Sequence, residues 1–539
     1  MPKKRQLSVA LIGLLSLCVI SIVVWLVLLF LSVTEGIEKN WLNKLTSINA
    51  PIRITPTDKY YNSYYYQIDS ISKSSDFSLK TIGEKLKSLK SDPYDSENDE
   101  EIPPYWPEKD FNAEDPVKSA FHALEKIQDE KLLESAEDYE VSGALMRLEL
   151  LRPKSRNFQS FLTQATYVTN ISESGKRLEP LILPPNSSDI ENLIYLSSLS
   201  KDPSAINAIL ENLESSSKNA VTLENLDLNG VKPIIHFYSE PKNPPPWSYF
   251  VNGKLVLKEY QILIPKQFRD SEVLIGDRGH FSFQSVTPLS VGEQKLNLQV
   301  AGFYDPGVIS IGSRFIMASK NLVRRLNTNC QLTSLDPLLS NGIQIWIRDL
   351  KKTPEVYKEI EQEFKKLGIS EYFSIIPYYK YDFAKELIGQ FKSDRYLFLL
   401  VGILILIVAC SNIISLLLLL VNDKKHEIGV LLSLGAEKKS IAYIFGGMGI
   451  AIGFLSSLIG ITLAYFTLKN ISFLVNLLSS LEGQEAFNPL FYGDSLPNHL
   501  SSLALVFVLI ASPLISLLAG LIPAVKASKL KPSHILRSD

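Results

Sequence analysis

Residues 412–435 read Asn-Ile-Ile-Ser-Leu-Leu-Leu-Leu-Leu-Val-Asn-Asp-Lys-Lys-His-Glu-Ile-Gly-Val-Leu-Leu-Ser-Leu-Gly. An apolar run passes directly into a short charged segment that opens at Asp423 and stops at Gly435. A second apolar run follows from Ile441. This is the pattern of a membrane span, a helix outside the bilayer, and a second span. A short helix held between two spans has the shape of a lever, because anything that displaces it displaces both spans.

The rest of the chain extends that reading. Four blocks carry no Asp, Glu, Lys or Arg: Leu7–Val33, Tyr396–Val421, Ile441–Leu468 and Leu500–Val525. Each exceeds the roughly 20 apolar residues that cross a bilayer as a helix. Leu7–Val33 follows Lys3, Lys4 and Arg5, as a signal peptide would. Its apolar core is longer than the ~7–15 residues usual there, and no Ala-x-Ala site follows, so it reads as a retained first span. The expected fold is an integral membrane α-helical protein with four spans. A large α+β extracytoplasmic domain is inserted between spans one and two. The boundaries read as 1–33 for the N-terminus and span one, 34–395 for the external domain with its stalks, and 396–539 for spans two to four and the basic tail.

Orientation follows from Lys and Arg, which are retained on the cytoplasmic side. They cluster at Lys3, Lys4 and Arg5, at Lys424, Lys425, Lys438 and Lys439, and at Lys526, Lys529, Lys531 and Arg537. Between spans three and four only Lys469 stands against Glu482, Glu485 and Asp494. Both termini and the 422–440 loop are therefore expected in the cytoplasm. Overall charge is balanced, 55 basic residues against 57 acidic, so no nucleic-acid footprint is present. Of the 3 cysteines, Cys18 and Cys410 fall in apolar blocks and Cys330 stands alone in the external region, which excludes a disulfide within that region. Asn170-Ile-Ser and Asn186-Ser-Ser match glycosylation sequons, a pattern common by chance.

Within the external region, Leu31–Lys39 reads as span one continuing outward as a helix, with Trp41, Leu42 and Leu45 on one face. Ala50–Pro56 reads as a strand, Tyr60–Tyr66 is tyrosine-rich, and Ser91–Asp110 has the Pro, Asp and Ser content of a loop. Asp115–Arg152 reads as helix from its Ala, Leu, Glu and Lys content, as do Asp189–Leu199 and Pro203–Glu214. Strands are expected at Ile234–Tyr238, Tyr260–Pro265, Gly279–Phe283, Leu296–Tyr304 and Ile343–Arg348. A helix then opens at Thr353-Pro354, with Thr353 as its cap, and ends at Gly368. Two lobes are expected.

No P-loop, His-Glu-x-x-His or Gly-x-Ser-x-Gly motif is present, and the six histidines are scattered. Catalytic, cofactor-binding and metal-ligating residues are therefore none. The chain reads as a non-catalytic subunit whose energy comes from a separate ATPase. In the lever, Asp423 suits the N-cap and the positive end of the dipole. Lys424, Lys425 and Glu427 offer charge pairing. Ile428, Leu431, Leu432 and Leu434 form an apolar side, and Gly435 is a stop with φ > 0. A helix lying on the lipid surface would show the same pattern. In span three, Gly446, Gly453 and Gly460 recur every seven residues and Gly449-x-x-x-Gly453 is a close-packing motif. The neighbour they fit is another span or a partner subunit. Pro513 is expected to kink span four.

The segment Asp423–Gly435 resembles the intracellular signature of FtsX/MacB-type ABC permeases, and within them the lipoprotein-releasing LolC/LolE type. The exit from span one at Leu31–Lys39 is similar to theirs. So are Ile262-Leu-Ile-Pro265, Ile275-Gly-Asp277 and Val300–Tyr304. The tail Pro523-Ala524-x-x-Ala527…Pro532-x-x-x-Leu536-Arg537 resembles the family's terminal pattern; a basic anchor on anionic lipid reads equally from the residues. Residues 57–230 match nothing recognisable, and Leu432 stands where the family commonly has Arg or Lys. The resemblance implies a bacterial inner-membrane location with a periplasmic domain, two ATPase subunits that bind ATP and Mg, and a second permease copy, identical or sister. It also implies lipoprotein cargo, a periplasmic lipoprotein chaperone, and surrounding membrane lipids. A cargo cavity would be lined near Trp25 and Leu26. Two other readings stay open: an FtsX-like signalling permease that switches a periplasmic hydrolase, and a MacB-like exporter.

Overall fold

The computed structural model describes residues 2–109, 115–129, 132–150, 152, 160–171, 177–199, 236–237, 239, 245–287, 290–307, 315–330, 341–482 and 499–528. It divides into two compact units, one of residues 1–42 and 386–539 and the other of residues 43–385. The first division falls inside helix α1 (Pro2–Asn49), which has no break at the end of its apolar run. Leu31–Lys39 is thus helical, and within α1 Trp41 and Leu45 are buried.

The 43–385 unit is built on strands β1 (Ile52–Pro56), β2 (Leu133–Leu150), β3 (Ser160–Asn170), β4 (Ile182–Leu183), β5 (His236–Phe237), β6 (Tyr249–Val251), β7 (Lys254–Val256), β8 (Gln261–Pro265), β9 (Arg278–Thr287), β10 (Ser290–Tyr304), β11 (Phe315–Ala318), β12 (Asn341–Ile347) and β13 (Phe373–Pro377). Besides two four-residue helices at Asp58–Tyr61 and Tyr64–Gln67, its described helices are α2 (Ile82–Lys87), α3 (Pro116–Asp129), α4 (Ser187–Leu199), α5 (Lys320–Cys330) and α6 (Thr353–Lys366). The main sheet runs β13-β1-β12-β2-β3-β11-β8-β10-β4, and β9 bridges β10 to β2. Strands β2, β3, β11, β8, β10 and β9 therefore close into a ring, which leaves those strands without free edges. β5, β6 and β7 form a separate small sheet.

β2 belongs to both halves of this unit. Its first part, Leu133–Glu140, pairs with β12; its second, Val141–Leu150, pairs with β3. One core lies under β1 and β12 and includes Ile52, Ile54, Ile343 and Ile345 with Leu124 of α3 and Ile360 of α6. Another fills the ring with Met146, Leu148, Val168, Ile264, Phe281 and Val300. Full burial of such a side chain contributes about 1.5–3 kcal/mol.

The structure corrects several expectations. Asp115–Arg152 is not one helix: α3 ends at Asp129 and β2 follows. Ala144, Met146, Leu148 and Leu150 are buried while Gly143, Leu145 and Arg147 are exposed, a period of two that pairing on both sides enforces over helix propensity. Thr353 is the first residue of α6 rather than its cap, and its hydroxyl donates to Leu350 O at 2.7 Å. Gly368 follows α6 at φ +72°. Strands β3, β11 and β13 and helix α5 add to the expected set. The helix expected at Pro203–Glu214 lies outside the described residues.

Residues 57–109 pack around polar groups. Lys85 is 2% exposed and pairs with Asp69, and its Nζ lies 3.6 Å from Asp115 Oδ2. It also donates to the carbonyl of Tyr65. Tyr60, Tyr64 and Tyr65 are buried, and Tyr61 meets Tyr66 edge-on at 4.9 Å. Asn186 and Asp189 cap α4 reciprocally, each backbone N–H donating to the other's side chain at 2.8 Å.

The other unit holds α1 up to Leu42 with α7 (Asp382–Asp423), which enters it at Glu386, then α8 (Lys425–Ser433), α9 (Lys438–Lys469), α10 (Ile471–Glu482) and α11 (Ser502–Ser528). α1, α7, α9 and α11 are long and apolar enough to cross a membrane. Val24, Leu28, Ile413, Leu417, Ala464 and Val508 form their shared core.

Candidate coupling helix and helix seams

α7 ends at Asp423 and α8 begins two residues later. Asp423 is therefore the last residue of the preceding helix. Lys424 occupies the junction; its carbonyl accepts from Ile428 N–H at 3.0 Å, and its ammonium pairs with Glu427 one turn on. The end of α8 is a Schellman cap. Gly435 has φ +95°, and Ala436 N–H donates to Leu431 O at 3.1 Å. No Cβ could take that φ without strain.

The apolar residues of α8 do not share one side. Ile428 is 6% exposed and packs into the helix core, so it anchors α8. Leu431 and Leu434 are 48% and 80% exposed. The side chain of Leu432 lies outside the described residues. Lys425, His426 and Glu427 are exposed as well. The outward surface of α8 thus combines a charged first turn with leucines in its last turn. Among the described residues, no group of three His, Cys, Asp or Glu could hold a metal ion. What α8 offers is a rigidly capped surface joined to two long helices.

The glycines of α9 serve two neighbours. A Cβ at Gly449 would lie 2.5 Å from Ser516 O, and one at Gly453 2.5 Å from Ser516 Oγ, both on α11. At Gly446 the nearest atom, Leu517 Cδ1, is at an ordinary 3.4 Å. Gly460 instead faces α1, where a Cβ would meet Val24 Cγ1 at 2.4 Å. The seven-residue repeat is thus split between α11 and α1. Ser512 and Ser516, which sequence reasoning passed over, are the other half of the seam; Ser512 Oγ donates to Gly453 O at 3.2 Å. Pro513 and Pro523 lie within the continuous α11. Pro532, Leu536 and Arg537 lie outside the described residues. Trp25 is partly buried and donates from Nε1 to Thr467 Oγ1 of α9 at 2.9 Å.

Four long apolar helices, a β-rich unit inserted between the first and second, and a short capped helix between the second and third define an FtsX-like permease. Residues 399–532 match the FtsX-like permease C-terminal family. The chain is 34% identical over 137 residues to the lipoprotein-releasing system transmembrane protein LolE of Haemophilus influenzae, covering 25% of this chain and 33% of that protein. It is 30% identical over 209 residues to LolC of the same organism, covering 39% and 47%. A macrolide export ATP-binding/permease protein MacB from Psychrobacter cryohalolentis is 30% identical over 139 residues, 26% of this chain and 18% of that one. The chain thus matches a third to a half of the length of these two Haemophilus influenzae relatives. The FtsX-like permease domain and the similarity to several LolC proteins and a LolE protein support a LolC/LolE-type ABC permease of the FtsX/MacB superfamily.

Proposed function

We propose that this chain is the membrane subunit of an ABC machine that extracts lipoproteins from the bacterial inner membrane and passes them to a periplasmic chaperone. The observation that carries the reading is the family match over 399–532, which encloses α8 between α7 and α9. The similarity to LolC and LolE supplies the substrate class. ATP and Mg bind a separate ATPase subunit, and a second permease copy completes the assembly. In this reading the ATPase seats the outward surface of α8, with Glu427, Lys425, Leu431 and Leu434 as its contacts. Closure of the ATPases then moves α7 and α9, because Ile428 and the Gly435 cap transmit displacement rather than absorb it. Both termini are cytoplasmic and the β-rich unit is periplasmic.

Depletion of the protein should strand outer-membrane lipoproteins in the inner membrane, read by fractionating labelled lipoproteins. A hydrolase-switching permease would change cell-wall cleavage with lipoproteins correctly sorted. An exporter, the reading that the MacB similarity favours, would change drug tolerance alone. Correct sorting in a strain without a paralogue rejects the lipoprotein assignment.

A further inference from the structure

The N-terminus of α11 is gripped by α1. Ser501 is 6% exposed and stands at the N-cap of α11, where its Oγ accepts from Ala504 N–H at 3.1 Å. Its own backbone N–H donates to Ser32 Oγ of α1 at 3.1 Å, and Ser32 is 1% exposed. The same Ser501 hydroxyl donates its proton to the carboxylate of Glu35, one turn further along α1. These contacts form a chain from Ala504 N–H through Oγ–H to Oε2. A hydroxyl that donates to a carboxylate becomes a better acceptor, so the two bonds reinforce each other. The negative charge also stands at the positive end of the α11 dipole. In apolar surroundings the free N–H groups of a first helical turn have few other partners.

Other contacts tie α1 and α11 to α9. Trp25 bonds Thr467, Gly460 sits against Val24 and Ser21 O, and Gly449 and Gly453 lie against the Ser512–Ser516 turn. α7 meets α1 through side chains and through one close approach, where a Cβ at Gly402 would lie 3.2 Å from Val27 Cγ1. Phe398 stacks on Phe30 at 5.5 Å, Phe391 tilts against Trp41 at 5.6 Å, and Arg395 pairs with Glu38.

We propose that Glu35 is a positioning residue that locks the N-terminus of α11 onto α1, so that these two helices move together. The proposal stands whatever cargo the protein moves. Full-length protein in nanodiscs, with Cys18, Cys330 and Cys410 replaced, would carry spin labels at Ile22→Cys and Leu503→Cys. The unmodified latch should give one narrow distance and slow amide exchange at Leu503–Leu505. Glu35→Ala should broaden the distance and speed that exchange, and Ser501→Ala, which removes the cap itself, should speed it about tenfold, as loss of about 1.4 kcal/mol would. Exchange at Gly449–Gly453 should stay unchanged. Glu35→Gln, which keeps an acceptor oxygen, should recover the narrow distance. If Glu35→Ala does not fold, Glu35→Asp, one methylene short, should still broaden the distance. Wild-type distance and exchange in whichever of the Glu35→Ala and Glu35→Asp variants folds would overturn the latch.

Discussion

Lys85 places a full positive charge at 2% exposure between Asp69 and Asp115, a choice that a purely apolar core would avoid. Desolvating such a group is costly, and removing its partner leaves uncompensated charge. Lys85→Met should therefore lower the stability of the β-rich unit by about 3–5 kcal/mol, read by denaturant unfolding of the full chain in detergent. Two buried acids of this unit give a pH signature. Burial pushes Asp115 above its ordinary value, against the pull of Lys85 and the Val117 N–H. Burial also pushes Glu140 up, against Arg324 and Lys320. An acid raised in the folded state binds its proton more tightly there than in the unfolded chain. Its stabilising contribution is complete below the unfolded value, near pH 4, and is lost as pH rises through the folded value. Asp305 acts in the opposite direction. Burial would raise it, but the Lys44 hydrogen bond and charge, the Gly307 N–H and Lys266 outweigh that and hold it low. Its contribution is present above the unfolded value and is lost as pH falls below it, so the two effects occupy different windows. Unfolding of Asp115→Asn between pH 4.5 and 7 should show a shallower decline than the parent chain. Equal slopes would mean that Asp115 titrates as it does when unfolded.

At the scale of elements, the α9–α11 seam makes a sharp contrast between neighbouring glycines. Gly449→Ala puts a methyl into the backbone of Ser516, while Gly447 has no atom within 4 Å of the corresponding position. Overpacking of this kind costs about 1–3 kcal/mol, and Ala is otherwise the better helix former. Gly449→Ala should lower the midpoint of SDS-induced unfolding and Gly447→Ala should leave it or raise it. A reversed order would show that the seam does not hold the pair. The glycine spacing was legible in the sequence because small residues in a span leave few uses other than close approach. Its division between α11 and α1 was not, since a seven-residue repeat drifts around a helix of 3.6 residues per turn. The lever was legible for the same local reason: charges interrupt two apolar runs, and Gly435 ends the segment. That Ile428 turns inward while Leu434 turns outward depends on the core it meets. β2 shows the opposite failure. The Leu, Ala and Glu residues of Leu133–Glu140 favour helix by composition, and only pairing with β12, β3 and β9 reveals the alternation of Ala144, Met146, Leu148 and Leu150. Ser501 gave a faint signal, a Ser just before an apolar run, but its partners lie 469 and 466 residues away in the chain.

Across the whole molecule, the asymmetry of charge decides which side of the membrane each part meets. The α8 loop carries Lys424, Lys425, Lys438 and Lys439 between two apolar helices, and the N-terminus carries Lys3, Lys4 and Arg5. The link between α9 and α11 has Lys469 against Glu482, Glu485 and Asp494. Short loops rich in Lys and Arg stay on the cytoplasmic side, and acidic residues contribute little to that choice. Two positions report the outcome: Ser91 lies in the loop after α2, and Ser440 is exposed at the start of α9. After replacement of the native cysteines, Ser91→Cys should react with a membrane-impermeant maleimide in intact spheroplasts. Ser440→Cys should react only after lysis. This arrangement would put α8 on the side where ATP is available and the β-rich unit on the side where a chaperone could receive cargo. The reverse labelling pattern would remove α8 from any ATPase and with it the proposed drive, while leaving the FtsX-like fold intact. Labelling of both positions in intact spheroplasts would instead put them on the same side, with an even number of crossings between them, so that α7, the apolar helix between them, does not span.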